Sequence, residues 1–201
     1  MTAVHATDGL LPGFADPVLD SQRVFRAVLE ATARPGTLVE LPLHLEPPAP
    51  LDAATAAVML ALADYETPLW LDGTAATDAV AEYLRFHCGC PLVSDPAAAA
   101  FALIADASIM PPLAAFHAGS DEYPDRSTTL VIQVATLTAG EPVELSGPGI
   151  RDSARLAAGA FPPDFPRWVA ANHELFPRGV DLVLASGRSL AALPRSTRLE
   201  W

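Results

Sequence analysis

Short, continuous apolar runs constrain the fold of this 201-residue chain more than any other feature. The runs at 101–105 and 130–134 do not alternate with polar residues, which is typical of strands covered on both faces. Helical patterns stand between such strands along the chain, and this alternation favours a layered α/β domain. Ser186-Gly187-Arg188 predicts a hairpin turn between 180–185 and a final strand at 189–193, so we expect a mixed sheet flanked by helices.

Three further strands are predicted at 37–41, 68–71 and 142–145. We expect the strand at 142–145 to pair with 130–134 across a turn at Ala139-Gly140. The length of the chain suits one domain spanning residues 1–201, with about the first ten residues lacking fixed structure.

A capped amphipathic helix is predicted near the N-terminus. Asp16 suits the N-cap, Pro17 suits the first helical position, and Arg34-Pro35-Gly36 ends the helix. The apolar positions at helical spacing are Val18, Phe25, Val28, Leu29 and Thr32. We expect this apolar face to seal the core, while Arg23, Arg26 and Glu30 on another face remain free to meet a neighbour.

Three more helices follow in the sequence. The helix from Asp52 to about Ala63 is apolar on almost every side, so we expect it to be buried. The next begins at Thr77, ends near Gly89 and carries Val80, Tyr83, Leu84 and His87 on one face. The last is predicted over 165–175.

Composition excludes several kinds of chemistry. All twelve basic residues are arginines, so the chain has no lysine for an aldimine with pyridoxal phosphate, for another Schiff base or for a Walker A loop. The formal net charge of −12 argues against a nucleic-acid partner. The apolar runs are shorter than the roughly 20 residues of a membrane span, and the N-terminus lacks signal-peptide features, so a cytoplasmic location is expected.

Several segments, taken in their order and spacing, resemble one family. Beyond 13–36 they are L-A-D-Y-E-T-P-L-W-L (62–71), L-R-F-H-C-G-C-P-L-V (84–93), F-H-A-G-S-D-E-Y-P-D-R-S-T-T-L (116–130), L-S-G-P-G-I (145–150), F-P-R-G-V-D-L-V-L (176–184) and A-L-P-R-S-T-R (192–198). Together they are similar to the PhnH subunits of bacterial carbon–phosphorus lyase.

The resemblance implies a function in phosphonate catabolism. Family members belong to a core complex with PhnG, PhnI and PhnJ, and form dimers. With PhnG, PhnI and PhnL, they are assigned to forming α-D-ribose 1-methylphosphonate 5-triphosphate from ATP and methylphosphonate, with release of adenine; PhnJ later breaks the carbon–phosphorus bond. The family fold is similar to that of pyridoxal-phosphate-dependent transferases without their cofactor site, so the resemblance implies no cofactor here.

Arg34, Arg85 and His87 are the candidate anion-binding residues. Guanidinium groups bind phosphate or phosphonate at two points, and both arginines are predicted at helix ends. The alternative is structural: Arg85 pairs with Glu82, Arg34 caps carbonyl groups, and His87 packs on the apolar face of its helix. A stand-alone enzyme or binding protein for an anionic phosphonate or nucleotide would use these three residues.

No metal site and no catalytic constellation are predicted. Cys88 and Cys90 are separated by one residue, an improbable spacing for a structural disulfide, and with His87 they do not complete the four ligands of a closed zinc site. The carboxylates at 121–125 resemble a solvated loop more than a magnesium site. Ser146-Gly147-Pro148-Gly149 suits a turn better than a phosphate loop. The sequence therefore favours a non-catalytic subunit.

Overall fold

The computed structural model describes residues 10–159 and 161–201. The expectation for the first residues of the chain lies almost wholly outside the described part. The helices are α1 (Pro17–Ala33), α2 (Ala53–Leu62), α3 (Asp78–Cys88) and α4 (Phe165–Glu174). The strands are β1 (Val39–Glu40), β2 (Leu69–Leu71), β3 (Leu92–Val93), β4 (Phe101–Ile104), β5 (Thr129–Gln133), β6 (Pro142–Ser146), β7 (Ala154–Ala157), β8 (Asp181–Ser186), β9 (Ser189–Leu193) and β10 (Arg198–Glu200).

A seven-stranded mixed sheet forms the centre of the molecule, in the order β3-β2-β4-β5-β8-β9-β1. The first five strands of this order are parallel, whereas β9 runs antiparallel to both β8 and β1. The register of the β8–β9 hairpin pairs Leu182 with Leu193 and Ser186 with Ser189. The predicted α/β class, the mixed sheet and the terminal hairpin are therefore confirmed.

Residues on the two faces of this sheet enter separate hydrophobic clusters. In β5, Val131 packs on the side of α1, α2 and α3, whereas Leu130 and Ile132 pack on the opposite side. That opposite side is covered by α4 and by a second, three-stranded antiparallel sheet in the order β10-β6-β7. Continuous apolar runs follow because helices or a second sheet cover both faces of the central strands.

The prediction that the strand at 142–145 pairs with 130–134 is wrong. β5 already has a partner on each side, β4 and β8, so its backbone offers no free edge. β6 pairs instead with β7 and β10 in the second sheet. Sequence proximity favoured a hairpin, but the parallel neighbours, which are distant in sequence, occupy the hydrogen-bonding positions.

The apolar face predicted for α1 does not seal the core. The buried positions of α1 are Asp20, Val24, Ala27 and Ala31. Val18 is 78% exposed, Phe25 52% and Leu29 56%. Alanines on the inner face let the α1 backbone approach α2 and β9 closely, so the helix buries its small side chains and presents its large ones outward.

Helix ends follow the predicted capping chemistry with one difference. The Asp16 carboxylate accepts hydrogen bonds from the backbone of Val18 and Leu19, and the Thr77 hydroxyl accepts one from Val80. Asp52 stands at the N-cap position of α2, but its carboxylate accepts from Gly187 N in the β8–β9 turn at 2.8 Å. Every helix in the described ranges falls short of the length and apolar content needed to cross a membrane.

Candidate functional site

An apolar groove beside α1 is the main concave feature near the outward-facing residues of that helix. It encloses about 250 Å³. One wall is formed by Phe25, Val28 and Leu29 of α1, and the other by the first residues of β4, β5 and β8 together with β9. Because Phe25 and Leu29 are more than half exposed, the groove continues onto the outer surface of the helix. We call Val18, Phe25 and Leu29 the α1 stripe.

The carboxylate of Asp181 lies at this groove and forms an ion pair with a largely enclosed arginine, Arg195. The Arg195 Nη2 donates to Asp181 Oδ2 at 2.5 Å and Nε donates to Oδ1 at 3.1 Å. The side chain of Arg195 is only 12% exposed. The same guanidinium also donates to the carbonyl of Pro124 at 2.7 Å and to the Ser127 hydroxyl. Its donors are therefore committed to protein acceptors, and Arg195 fixes the loops at the amino ends of β5 and β8.

Segments that are distant in sequence meet through such contacts. Arg195 of 192–198 binds both Asp181 of 176–184 and the loop at 116–130. A side chain at Gly149 would place its Cβ 2.1 Å from the carbonyl oxygen of Ala33, so the 145–150 turn packs directly on the end of α1. Five of the segments that carry the family resemblance therefore contact another of these segments in the folded chain.

A second, polar crevice lies at the carboxyl ends of β4 and β5, where α/β proteins often bind ligands. It encloses about 380 Å³, and Asp52, Asp106 and Gln133 supply its polar side chains. Among the described residues that line it there is no cation. Two carboxylates repel a phosphate or phosphonate group, so this crevice does not suit an anionic substrate.

Arg34 and His87 lie at opposite ends of α1. Arg34 follows the last residue of the helix and forms an exposed ion pair with Glu30. His87 Nε2 lies 3.0 Å from the carbonyl oxygen of Leu11, and Gly13 packs against its ring, just before the helix begins. Since α1 has 17 residues, about 25 Å of helix separates the two positions. The structure does not bring Arg34 and His87 into one site.

Arg85 is exposed on α3 and lines a shallow depression with Asp78, Glu82 and Phe86. No ion pair to Arg85 is formed within residues 10–159 and 161–201, so the suggested pairing with Glu82 is absent from that part of the chain. Arg85 and His87 stand two positions apart on one helix and so point in different directions. Anion binding by Arg34, Arg85 or His87 stays a prediction for each residue separately.

In the loop at 121–125, one carboxylate and one aromatic ring contact neighbouring arginines. Asp121 accepts from Arg178 Nε at 3.0 Å, and the Arg126 guanidinium lies over the Tyr123 ring, 4.0 Å from its centre. Within the described ranges, no three His, Cys, Asp or Glu side chains are grouped to hold a metal ion. Cys88 and Cys90 are both free thiols.

Sequence reasoning missed Arg195 and the outward direction of the α1 stripe. Arg195 follows Pro194 in a polar tail segment, and no local pattern reveals that its partner, Asp181, lies 14 residues earlier on the neighbouring strand. The stripe was visible as a periodic pattern. The pattern did not indicate that the opposite face of α1, which carries the alanines, is the buried one.

The fold and these surfaces define an α/β protein whose first helix presents an uncovered apolar face. Residues 12–200 match the family model described as bacterial phosphonate metabolism protein (PhnH). The chain is 40% identical over 187 residues to the alpha-D-ribose 1-methylphosphonate 5-triphosphate synthase subunit PhnH of Rhizobium meliloti (strain 1021), covering 93% of this chain and 94% of that relative. It is also 36% identical over 81 residues to a candidate C-P lyase subunit protein, HtxG, of Stutzerimonas stutzeri, covering 40% and 42% of the two chains. The chain belongs to the PhnH family.

Proposed function

We propose that this protein is a cytoplasmic subunit of the carbon–phosphorus lyase core complex in phosphonate catabolism. With partner subunits it contributes to forming α-D-ribose 1-methylphosphonate 5-triphosphate from ATP and methylphosphonate, and it is not catalytic alone. The family membership and the name of the Rhizobium relative support the pathway. The single structural observation that carries the subunit role is the uncovered α1 stripe beside the apolar groove.

Burial of the α1 stripe against a partner would favour assembly. Burying a large apolar side chain completely stabilises a complex by about 1.5–3 kcal/mol relative to leaving it in water. Phe25 and Leu29 keep more than half of their surface exposed in the isolated chain, and the groove beside them is lined mostly by apolar side chains. An apolar segment of a partner would fill the groove and cover the stripe together, which is the arrangement of a hydrophobic interface core.

The proposed partners are the PhnG, PhnI and PhnJ subunits, and we also propose that the chain forms a homodimer. In a twofold-symmetric homodimer, a surface patch of one copy contacts the same patch of the second copy. Sedimentation of the isolated chain at micromolar concentration tests this state, and a strict monomer would contradict it.

A non-catalytic role is supported by how the charged side chains are used. Arg195, the most enclosed guanidinium in the ion pairs described here, is bound to Asp181 and to backbone carbonyls. The crevice at the carboxyl ends of the strands is lined by carboxylates. We further propose that the fold is related to that of pyridoxal-phosphate-dependent transferases with the cofactor site lost. The mixed sheet and the absence of lysine support this relation, and superposition of the sheets tests it.

Co-purification with tagged PhnG, PhnI and PhnJ tests the subunit role. The double variant Phe25→Ser/Leu29→Ser is expected to lose at least tenfold in retained complex, corresponding to about 1.4 kcal/mol or more. Ile109→Ser is the matched control, because Ile109 is 67% exposed but lies away from the groove. Full retention of the double variant would contradict docking through the α1 stripe, and failure of the unmodified chain to co-purify would contradict the subunit role itself.

The alternative is that the chain is a stand-alone enzyme or binding protein for an anionic phosphonate or nucleotide. A second measurement distinguishes this alternative from the subunit role. Calorimetric titration of the isolated chain with ATP or methylphosphonate is expected to show no heat of binding at millimolar ligand. Binding that is lost in Arg34→Gln, Arg85→Gln or His87→Gln would favour the alternative. Robust conversion of ATP and methylphosphonate by the purified chain alone would overturn the non-catalytic assignment.

A further inference from the structure

Helix α4 packs on the side of the central sheet opposite α1 and leaves one of its own faces uncovered. Phe165, Val169 and Asn172 are its buried positions. Its exposed positions, which we call the α4 face, are Arg167, Ala170, Ala171 and Glu174. The α4 face therefore has two small residues at its centre, a cation near the first turn and a carboxylate at the last residue.

The two charges of the α4 face stand at the helix ends where the macrodipole disfavours them. A cation is unfavourable near the amino end of a helix, and an anion is unfavourable near the carboxyl end. Arg167 is the third residue of α4, and Glu174 is the last. Within residues 10–159 and 161–201, neither side chain forms an ion pair. A second helix that runs antiparallel across this face would offset both costs, because it would bring the opposite charge to each end.

An apolar trench of about 180 Å³ lies beside the α4 face. Ala114 and Ala118 line it from the segment before β5, and Ala171 lines it from α4. An apolar cavity of about 150 Å³ holds one benzene molecule, so this trench admits one phenyl ring. Leu175 lines the trench, and Phe176, the next residue, is 61% exposed. An exposed ring and a space that admits a ring are thus neighbours on one surface.

We propose that a second copy of this chain docks on the α4 face, with the two α4 helices antiparallel about a twofold axis. This inference rests on the homodimer of the proposed function and assigns its interface. Symmetry places Arg167 of each copy opposite Glu174 of the other, and Ala170 opposite Ala171 at the axis. Since Arg167 and Glu174 are about 10 Å apart on the same side of the helix, both ion pairs form together.

The pattern of charge favours a second copy over a different protein. The α4 face carries one charge of each sign at equal distances from its centre, which is the self-complementarity that a twofold contact requires. The central alanines let the two helix axes approach to about 8 Å. The carboxyl end of each α4 then lies beside the amino end of the other, and Phe176 of one copy reaches the Trp168 end of the other copy's trench. Because α1 packs on the opposite side of the sheet, this dimer leaves the α1 stripe free for another subunit.

Sedimentation equilibrium of the full chain, at micromolar concentration and about 0.15 M salt, tests the interface. Arg167→Glu and Glu174→Arg each place like charges opposite one another in both pairs, so each variant is expected to dimerise at least about tenfold more weakly than the unmodified chain. An equal mixture of the two variants is expected to recover the dimer, because one copy then carries two carboxylates and the other two guanidinium groups. The double variant Arg167→Glu/Glu174→Arg is expected to recover it as well. Such recovery excludes misfolding as the cause of the loss.

Two further variants complete the experiment. Arg26→Glu makes the same change of charge at an exposed position of α1 and is expected to leave the dimer unchanged. Phe176→Ser alters no charge and is expected to weaken the dimer by removing the ring from the trench.

The outcomes separate this interface from the proposed function. Equal dimerisation of Arg167→Glu, Glu174→Arg and the unmodified chain would overturn the α4 interface alone, as would a mixture that stays monomeric. A monomeric unmodified chain would overturn the interface and the homodimer together, while co-purification with PhnG, PhnI and PhnJ tests the subunit role separately. If the unmodified chain is monomeric and Arg167→Glu loses that co-purification, one of those subunits covers the α4 face, and a second copy does not.

Discussion

The guanidinium of Arg195 and the carboxylate of Asp181 form a two-point ion pair that ties β8 to the segment that follows β9. Arg195 donates from Nε and Nη2 to the two carboxylate oxygens, and its backbone N–H also donates to Asp181 Oδ1 at 2.8 Å. Since the remaining donors reach Pro124 and Ser127 before β5 and Pro177 before β8, one side chain holds two loops against the amino end of the sheet.

Removal of this guanidinium is expected to destabilise the fold strongly. Arg195→Gln leaves the Asp181 carboxylate and several carbonyl groups without their donors, and we expect the free energy of unfolding to fall by about 3 kcal/mol. Urea denaturation measures this loss. Arg34→Gln is the matched control: its exposed pair with Glu30 is expected to contribute about 0.5 kcal/mol or less. Equal losses in the two variants would contradict the structural role of Arg195.

Gly149 is expected to tolerate no side chain. Its φ is 84°, and an added Cβ would lie 2.1 Å from the carbonyl oxygen of Ala33. Gly149→Ala therefore forces the 145–150 turn away from the end of α1, with an expected loss of about 2 kcal/mol or more. Gly73→Ala provides the comparison, because Gly73 has no positive φ and no atom within 4 Å of its added Cβ. Thermal melting of both variants shows whether the loss is specific to the turn.

The orientation of α1 is tested by one substitution made on its two faces. Val24 is fully buried and Val18 is 78% exposed. Val24→Ala is expected to cost about 2 kcal/mol in the isolated chain, whereas Val18→Ala should change stability by less than about 0.5 kcal/mol. Chemical denaturation of both variants measures the difference. The reverse order would mean that the α1 stripe faces the core.

Stability at high pH is expected to depend on Tyr83. Burial raises the pKa of Tyr83 to about 12. Its folded-state pKa lies above its ordinary value of 10.0, so the unfolded chain loses the phenolic proton first. Stability from this group is therefore complete below about pH 10 and declines as the pH rises toward 12, by about 2 kcal/mol after allowance for solvent screening.

Tyr83→Phe provides the control for that pH dependence. Denaturation of both proteins across this range should show a shallower decline in the variant, because it has no phenol to ionise at this position. Identical slopes would indicate that other groups cause the decline. Ultraviolet titration of tyrosinate in the folded chain checks the raised pKa of Tyr83 directly.

Local chemistry in the sequence was sufficient for most of the secondary structure. Asp16 and Pro17 begin α1 through contacts within a few residues. In the same way, Thr77 begins α3 and Gly89 ends it. The β8–β9 hairpin likewise depends on a short turn. The assignment of 142–145 to the central sheet failed because pairing partners are chosen by competition among distant strands, and β5 was already paired by β4 and β8.

The sequence by itself determined the α/β class, the mixed sheet, the exclusion of reactions that need a lysine, and the family resemblance. These follow from residue types and local periodicity. The tertiary structure decided which face of α1 is buried, that Arg34 and His87 lie at opposite ends of that helix, and that Arg195 meets Asp181. The reason is physical: an amphipathic pattern indicates that a helix has two unlike faces, but not which of them is buried. Close packing of Ala27 and Ala31 against the neighbouring elements then decides which face turns inward.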